Sequence, residues 1–363
     1  NYIGGNAPLA TGDMTVNVSG AVVTSFIGLL VSTGQIPNYI EGNVIRNVDF
    51  TTTAPTANTT IFNPIQTGNG IHSIGTLTGN VIGTANGTGS LKININTGGT
   101  SSSFFAGILA IATNGSYAIR NNTIGGITMG GTNTAGAIIP QWIQSQGTPA
   151  QNLDISNNLI GSTSTPSSII NNMNAASIAF ALRHLVSTGV GISITSNTIM
   201  NIVDNSNSAS SQHYGFLLIG TVGTSGPMNI SNNSIRNISS NALPLTPVIT
   251  NFGIACQGMA GTHTLEANTI SGLSCINSGA GAAYAIGIQT QGSSFGGFMR
   301  KNYINNISNL QTGVGAGIGG IYISSGNNWD VSNNMVSLSN GVNTNTVDLY
   351  GIADFMGQGA NIN

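Results

Sequence analysis

Charged side chains are scarce in this chain, so the few that could act together stand out. Seven Lys and Arg accompany nine Asp and Glu in 363 residues, 4% in all, against an ordinary figure of about 25%. Glu266, Arg300, Lys301 and Asp330 are the candidate binding group. Side by side they would make a polar groove able to hold the carboxylate of a sugar. The same residues would equally make an exposed salt bridge, which stabilises little, and that is the plainer expectation. Arg120 and Asp154 form a smaller pair of the same kind. No catalytic residue is assigned. The four histidines, His72, His184, His213 and His263, stand at no ligand spacing. Cys256 and Cys275 are not in a metal spacing either and read as two small buried hydrophobes, with a disulfide between them as the lesser reading. No metal and no cofactor is therefore expected.

What could bring residues 30 to 40 positions apart together is a repeat. Asn-x-Ile recurs down the chain, anchored at Asn1, Asn43, Asn80, Asn122, Asn158, Asn197, Asn233, Asn268 and Asn302, with Asn334-Met335-Val336 as a variant. A period of this size means a solenoid. Three residues before the anchors lie Ile40, Leu77, Ile119, Ile155, Ile194, Ile230, Leu265, Met299 and Val331. Two residues after each anchor the position is Ile or Val. Inward positions an odd number of residues apart cannot lie on one straight strand. A bend must separate them, and the anchor Asn, tolerant of left-handed angles, is expected to make it. A further apolar run usually opens with Gly, as in Gly107-Ile108-Leu109 and Gly253-Ile254-Ala255. The reading is three short strands per coil. Loops rich in Asn, Ser, Thr and Gly fall on one edge, as in Gly161 to Pro166.

Three strands closing one coil describe a right-handed parallel β-helix of about nine to ten coils, a rod roughly 45 Å long. Residues 1-363 then form a single elongated domain. Anchors stacked in successive coils would bond amide to amide. The expected ladder runs through Asn43, Asn80, Asn122, Asn158, Asn197, Asn233, Asn268, Asn302 and Asn334. Segments such as Ile155-Ser156-Asn157-Asn158-Leu159-Ile160 resemble the repeats of pectin-lyase-like proteins. They are similar in particular to the Asn-rich repeats of large secreted surface proteins of the Bacteroidetes type. The resemblance implies the fold over nearly the whole chain but not one function, since that fold carries lyases, hydrolases, tailspikes and adhesins. Its enzymes use clustered Asp residues holding Ca²⁺ and a Lys or Arg base. Here no two acidic residues share one position in neighbouring repeats, so no stacked carboxylate site is expected.

Composition narrows the partners. Seven scattered cations cannot form a phosphate-binding patch, so nucleic acid is not an expected partner. No run of 18 apolar residues exists, and the most apolar window, Ala21 to Val31, is too short to span a bilayer. Low charge with many Asn, Thr and Gly suits an extracellular or cell-surface protein. Trp142, Trp329, Tyr117, Tyr214, Tyr284, Tyr303 and Tyr322 could offer faces to sugars, although core or corner packing is the plainer role. The chain opens on an anchor, and another is expected near Asn363. It therefore reads as a slice of a longer solenoid or as a subunit that stacks head to tail. The expected function is an extracellular structural or adhesive β-helix. A polysaccharide lyase or hydrolase, or a glycan-binding fibre without catalysis, is the alternative.

Overall fold

The computed structural model is a parallel β-solenoid. It describes residues 1–18, 24–32, 36–113, 115–149, 153–173, 175–186, 190–206, 212–220, 226–241, 248–257, 261–276, 281, 283–292, 295–313, 315–338, 348–355 and 360–363. Residues 21–23 of the apolar window thus lie outside the described residues. Three sheets form the walls. Among the described residues the pre-anchor sheet has ten strands, from Asn38–Ile40 to Asn361–Ile362, the glycine sheet has ten, from Phe26–Val31 to Asp348–Asp354, and the post-anchor sheet has sixteen. Every strand pairs in parallel with its counterpart one coil away, so equivalent residues stack about 4.8 Å apart.

The expected three strands per coil resolve into four segments in the early coils. After each anchor a short strand, such as Thr123–Gly125, is followed by a second, such as Ile127–Gly130. Both belong to the sixteen-stranded sheet, which therefore has two limbs. From Thr198–Asp204 onward the limbs merge into one kinked strand, as in Ser234–Ser240 and Thr269–Cys275. They separate again at Tyr303–Asn305 and Ser308–Asn309.

The bend is not made by the anchor Asn, as the spacing alone suggests. The left-handed residue is the one before it: Gly42, Asn121, Asn157, Ser196, Asn232, Ala267, Lys301 and Asn333 all have φ between 54° and 61°. The anchor itself is left to turn its amide inward. A second corner, not foreseen, lies four residues after the anchor at Asn47, Gly126, Asn201, Asn237, Gly272 and Asn306, with φ from 51° to 66°. It explains why inward residues occur both two and five positions after the anchor. Leu77 is a second correction. It is 82% exposed, while Ile74 is buried and pairs with Ile40 and Ile119. Residues 75–79 bulge from the corner, so the sequence spacing to Asn80 misassigned the inward position. At the far end Ile362 pairs with Val331. Asn363 therefore sits level with Ser332, two positions before where an anchor would fall.

The core is one continuous apolar cluster along the axis. Ile45, Ile82, Ile124, Ile160, Ile199, Ile235, Ile270 and Ile304 form one fully buried column of it. Opposite this column lie the strand glycines. A Cβ on Gly253 would come 2.5 Å from the Gly287 carbonyl and 2.7 Å from Ile270 Cγ2, and Gly215, Gly287 and Gly320 are similarly enclosed. These glycines are needed for space, since none of the four has a left-handed φ.

Candidate functional site

The anchors form the predicted ladder. From Asn43 to Asn302, the backbone N–H and the Nδ2 of each anchor donate to the Oδ1 of the next, at 2.8 to 3.1 Å. Asn1 joins through its Nδ2 alone, at 2.8 Å. The remaining amide hydrogen goes to a carbonyl of the preceding coil, as from Asn158 to Ile119 and from Asn233 to Ile194. An interior rung thus satisfies both amide hydrogens and gives its oxygen two donors. That complete pairing permits polar groups to stack without cost inside the wall. From anchor to anchor the bonds all run one way along the axis, each anchor donating to the Oδ1 of the next, while the second amide hydrogen runs back to the preceding coil.

The charged candidates come together on the outer face of the pre-anchor sheet. Register places Glu266 beside Arg300, and Asp330 beside Phe298. Arg300 Nη2 lies 3.2 Å and Lys301 Nζ 3.0 Å from the Glu266 carboxylate. Lys301 is at a left-handed corner, which turns its side chain beside the strand. Its hydrogen bond, with help from Arg300 and against partial burial, holds the Glu266 carboxyl below its usual range. Arg300 also lies over the Phe298 ring, 4.9 Å from the centroid. Arg120 and Asp154 pair as expected, Nε to Oδ2 at 3.0 Å.

Asp330 is not part of this knot. It lines a separate groove of about 480 Å³ with Gly261, Thr262, Gly296, Phe298, Asn327 and Asn328. Its Oδ1 is shielded from solvent and has no hydrogen-bond partner. Phe298, Asn327 and Asn328 were not singled out by sequence reasoning. The available signal was register, because outward residues two apart on each pre-anchor strand build two adjoining columns. A second trough of about 480 Å³ follows the second corner, past Asn201, Asn237, Asn306, Ser239, Ser274 and Ser308. It carries no charged residue, and its signal was the recurrence of Asn or Gly four positions after the anchor.

The histidines are all buried. His184 Nδ1 meets the Ser145 hydroxyl, and His263 Nδ1 accepts from the Met228 N–H at 3.2 Å. Burial lowers their pKa values to about 3 and about 4 respectively. His213 Nε2 is 3.4 Å from Asp204, itself buried and held by Asn171. The odd Arg183-His184 pair resolves by alternation: His184 turns inward to Ser145, while Arg183 covers the Phe180 ring and donates to Gln141. Trp142, Trp329, Tyr117 and Tyr214 are buried, while Tyr303 is exposed. Phe180, Tyr214 and Phe252 stack with centroids 4.9 and 4.3 Å apart. Cys256 and Cys275 are buried and no disulfide joins them. Burial pushes the Cys256 thiol up to about 12. Among the described residues no three His, Cys, Asp or Glu converge as a metal site. No helix of the structure is long and apolar enough to cross a membrane.

No family model matches the chain, and no similar curated protein or solved structure was found.

Proposed function

We propose that this chain is an extracellular β-helix with a structural or adhesive role, of the pectin-lyase-like kind, able to extend by coil-on-coil stacking. The one-way Asn ladder carries this reading. Each rung offers donors in one axial direction and an acceptor in the other. A copy added by strand pairing can meet the ladder only with the same polarity, so association is head to tail and propagates without closing. Low charge helps, because a net charge of -2 over 363 residues gives little repulsion between stacked copies. The charged groups that do converge, Glu266 with Arg300 and Lys301, pair with one another, as in a surface salt bridge rather than a poised acid and base. Secretion follows from the same composition.

The test is sedimentation and negative-stain imaging over a concentration series. Filaments or end-to-end dimers are expected from the wild type. Ile352→Lys, which puts a charge on an inward position of the Asp348–Asp354 strand, should abolish them. A wild type that stays monomeric at every concentration would remove the stacking proposal. Turnover of pectate, alginate or a glycosaminoglycan that is lost on Arg300→Ala or Lys301→Ala would replace the structural role with an enzymatic one.

A further inference from the structure

The Asp330 groove differs from the charged pairs beside it, because neither oxygen of Asp330 meets a cation among the described residues, whereas Asp154 and Glu266 each do. Most outward polar groups here are amides and hydroxyls that bond their neighbours. Asp330 presents a carboxylate oxygen that is shielded from solvent and unpartnered. Such a group is costly to leave unmatched, and more so when charged. The nearby cations do not serve it. Arg300 bonds Glu266 through Nη2 and lies over the Phe298 ring, its shielded Nε has no partner, and Lys301 bonds Glu266. The last third of the chain is acidic as a whole. From residue 261 onward two cations stand against four carboxylates, whereas residues 1–260 hold five of each. The whole net charge of the chain therefore arises in its last third.

The groove that holds Asp330 has one aromatic wall, Phe298, which is 38% exposed. Thr262, Asn327 and Asn328 supply neutral donors and acceptors, and Gly261 and Gly296 keep it open. An orphan carboxylate calls for a cationic donor. A ring face suits the C–H face of a sugar or a cation. Amides and a hydroxyl suit sugar hydroxyl groups. A volume of about 480 Å³ accommodates a small ligand rather than a folded partner.

We infer that this groove binds a sugar bearing a free ammonium group, a glucosamine-type residue of a cationic glycan, with Asp330 taking the ammonium and Phe298 the ring face. The inference rests on the adhesive reading and gives it a ligand class. It also runs opposite in charge to the acidic sugar expected at Glu266 and Arg300, where both cations already share the Glu266 carboxylate.

Calorimetric titration of the intact chain tests it, with four probes: a glucosamine oligosaccharide, its fully N-acetylated counterpart, an unsubstituted glucan oligosaccharide and a lysine-rich peptide. The glucosamine oligosaccharide should bind and the other three should bind at least about tenfold more weakly. Asp330→Asn should weaken glucosamine binding about tenfold or more while leaving the melting temperature unchanged. Phe298→Ala, at an exposed position, should weaken it independently and covers the case in which Asp330→Asn does not fold. Absence of wild-type binding would overturn the inference. So would equal affinity for the acetylated sugar, equal affinity for the lysine peptide, or wild-type affinity in both variants. None of these outcomes bears on filament formation, so failure here is distinct from failure of the structural reading.

Discussion

Most coils turn twice through a left-handed residue, and the two corners solve that problem differently. At the first, two residues share the work. A residue such as Asn157, Ser196 or Ala267 takes the positive φ, and the next one, always Asn, faces inward and bonds in the ladder. At the second corner one residue takes the angle without a ladder. It is Asn or Gly, and its surroundings range from buried at Asn201 and Gly126 to exposed at Asn237 and Asn306. Asn237 bonds Asn201 at 3.0 Å and Asn47 a backbone carbonyl at 2.7 Å, while Gly126 and Gly272 offer no side chain. The difference lies in the column of partners. An amide in the ladder must meet its neighbours on both sides, so nothing but Asn fits. No such column runs through the second corner, so only the backbone angle is selected. The second corner consequently accepts insertions. Residues 84–90 and 162–168 bulge there, yet Leu91 and Ile169 still pair with Ile127.

Acid should break the buried side of this comparison most completely. His184 and His263 are neutral inside, with pKa values lowered to about 3 and about 4 by burial. Unfolded histidine titrates near 6.5. Above that pH neither state is protonated and nothing is lost. As pH falls from about 6.5 toward 4 the unfolded chain gains protons the folded one refuses, so stability drops. Melting curves at pH 7, 5.5 and 4 should fall steadily, by up to about 1.4 kcal/mol per pH unit for each histidine. A flat profile would mean that the histidines reach solvent.

The apolar column behind the first corner should come next. Ile235→Ala and Ile199→Ala should each cost about 2 to 5 kcal/mol by opening a cavity between coils. Chemical denaturation measures this, and a loss below about 0.5 kcal/mol would displace the column from the core. Asn158→Ala should follow at about 1 to 3 kcal/mol, because it strands the donors of Asn122 and takes one of two donors from the Asn197 oxygen. Equal melting of Asn158→Ala and wild type would refute the ladder as a stabilising device.

The second corner should answer more mildly. Asn237→Ala puts a Cβ residue without a local hydrogen bond at φ 54°, at a cost of about 1 kcal/mol. Asn237→Gly should be close to neutral. The contrast is sharpened if the two differ and erased if Gly is as harmful as Ala. Smallest of all should be Glu266→Gln, an exposed pairing screened by salt. Its melting temperature should match wild type in 0.5 M salt.

Most of the architecture was legible in the sequence because it rests on period. The Ile columns and the Asn ladder recur at each anchor, and stacking converts recurrence into contact. What stayed hidden was whatever spacing alone cannot place. Leu77 occupies the right position before Asn80, but three inserted residues had moved it off the wall. The left-handed residue was credited to the invariant Asn rather than to its variable neighbour, since invariance reports burial and not backbone angle. Glu266, Arg300 and Lys301 were readable as a cluster because they share the register of adjacent coils. Asp330 was counted with them although it is two positions further from its anchor than Glu266 and Arg300 are from theirs. That offset puts it beside Phe298 instead, in a groove that no repeat position announces.

The split of the post-anchor sheet near its far end bears on mechanics. Ser308–Asn309 pairs with Thr269–Cys275 on one side, and no described strand continues it on the other. Every earlier coil after the first is clasped on both sides by both limbs. Tension applied to the two ends of the chain would load coils in sequence and peel them like turns of a rope. From Val44–Ile45 and Val48–Thr53 to Thr269–Cys275, where both limbs are paired on each side, a pull on one limb is shared by the other. That stretch of the rod would resist ravelling as one body, with the ladder running through it.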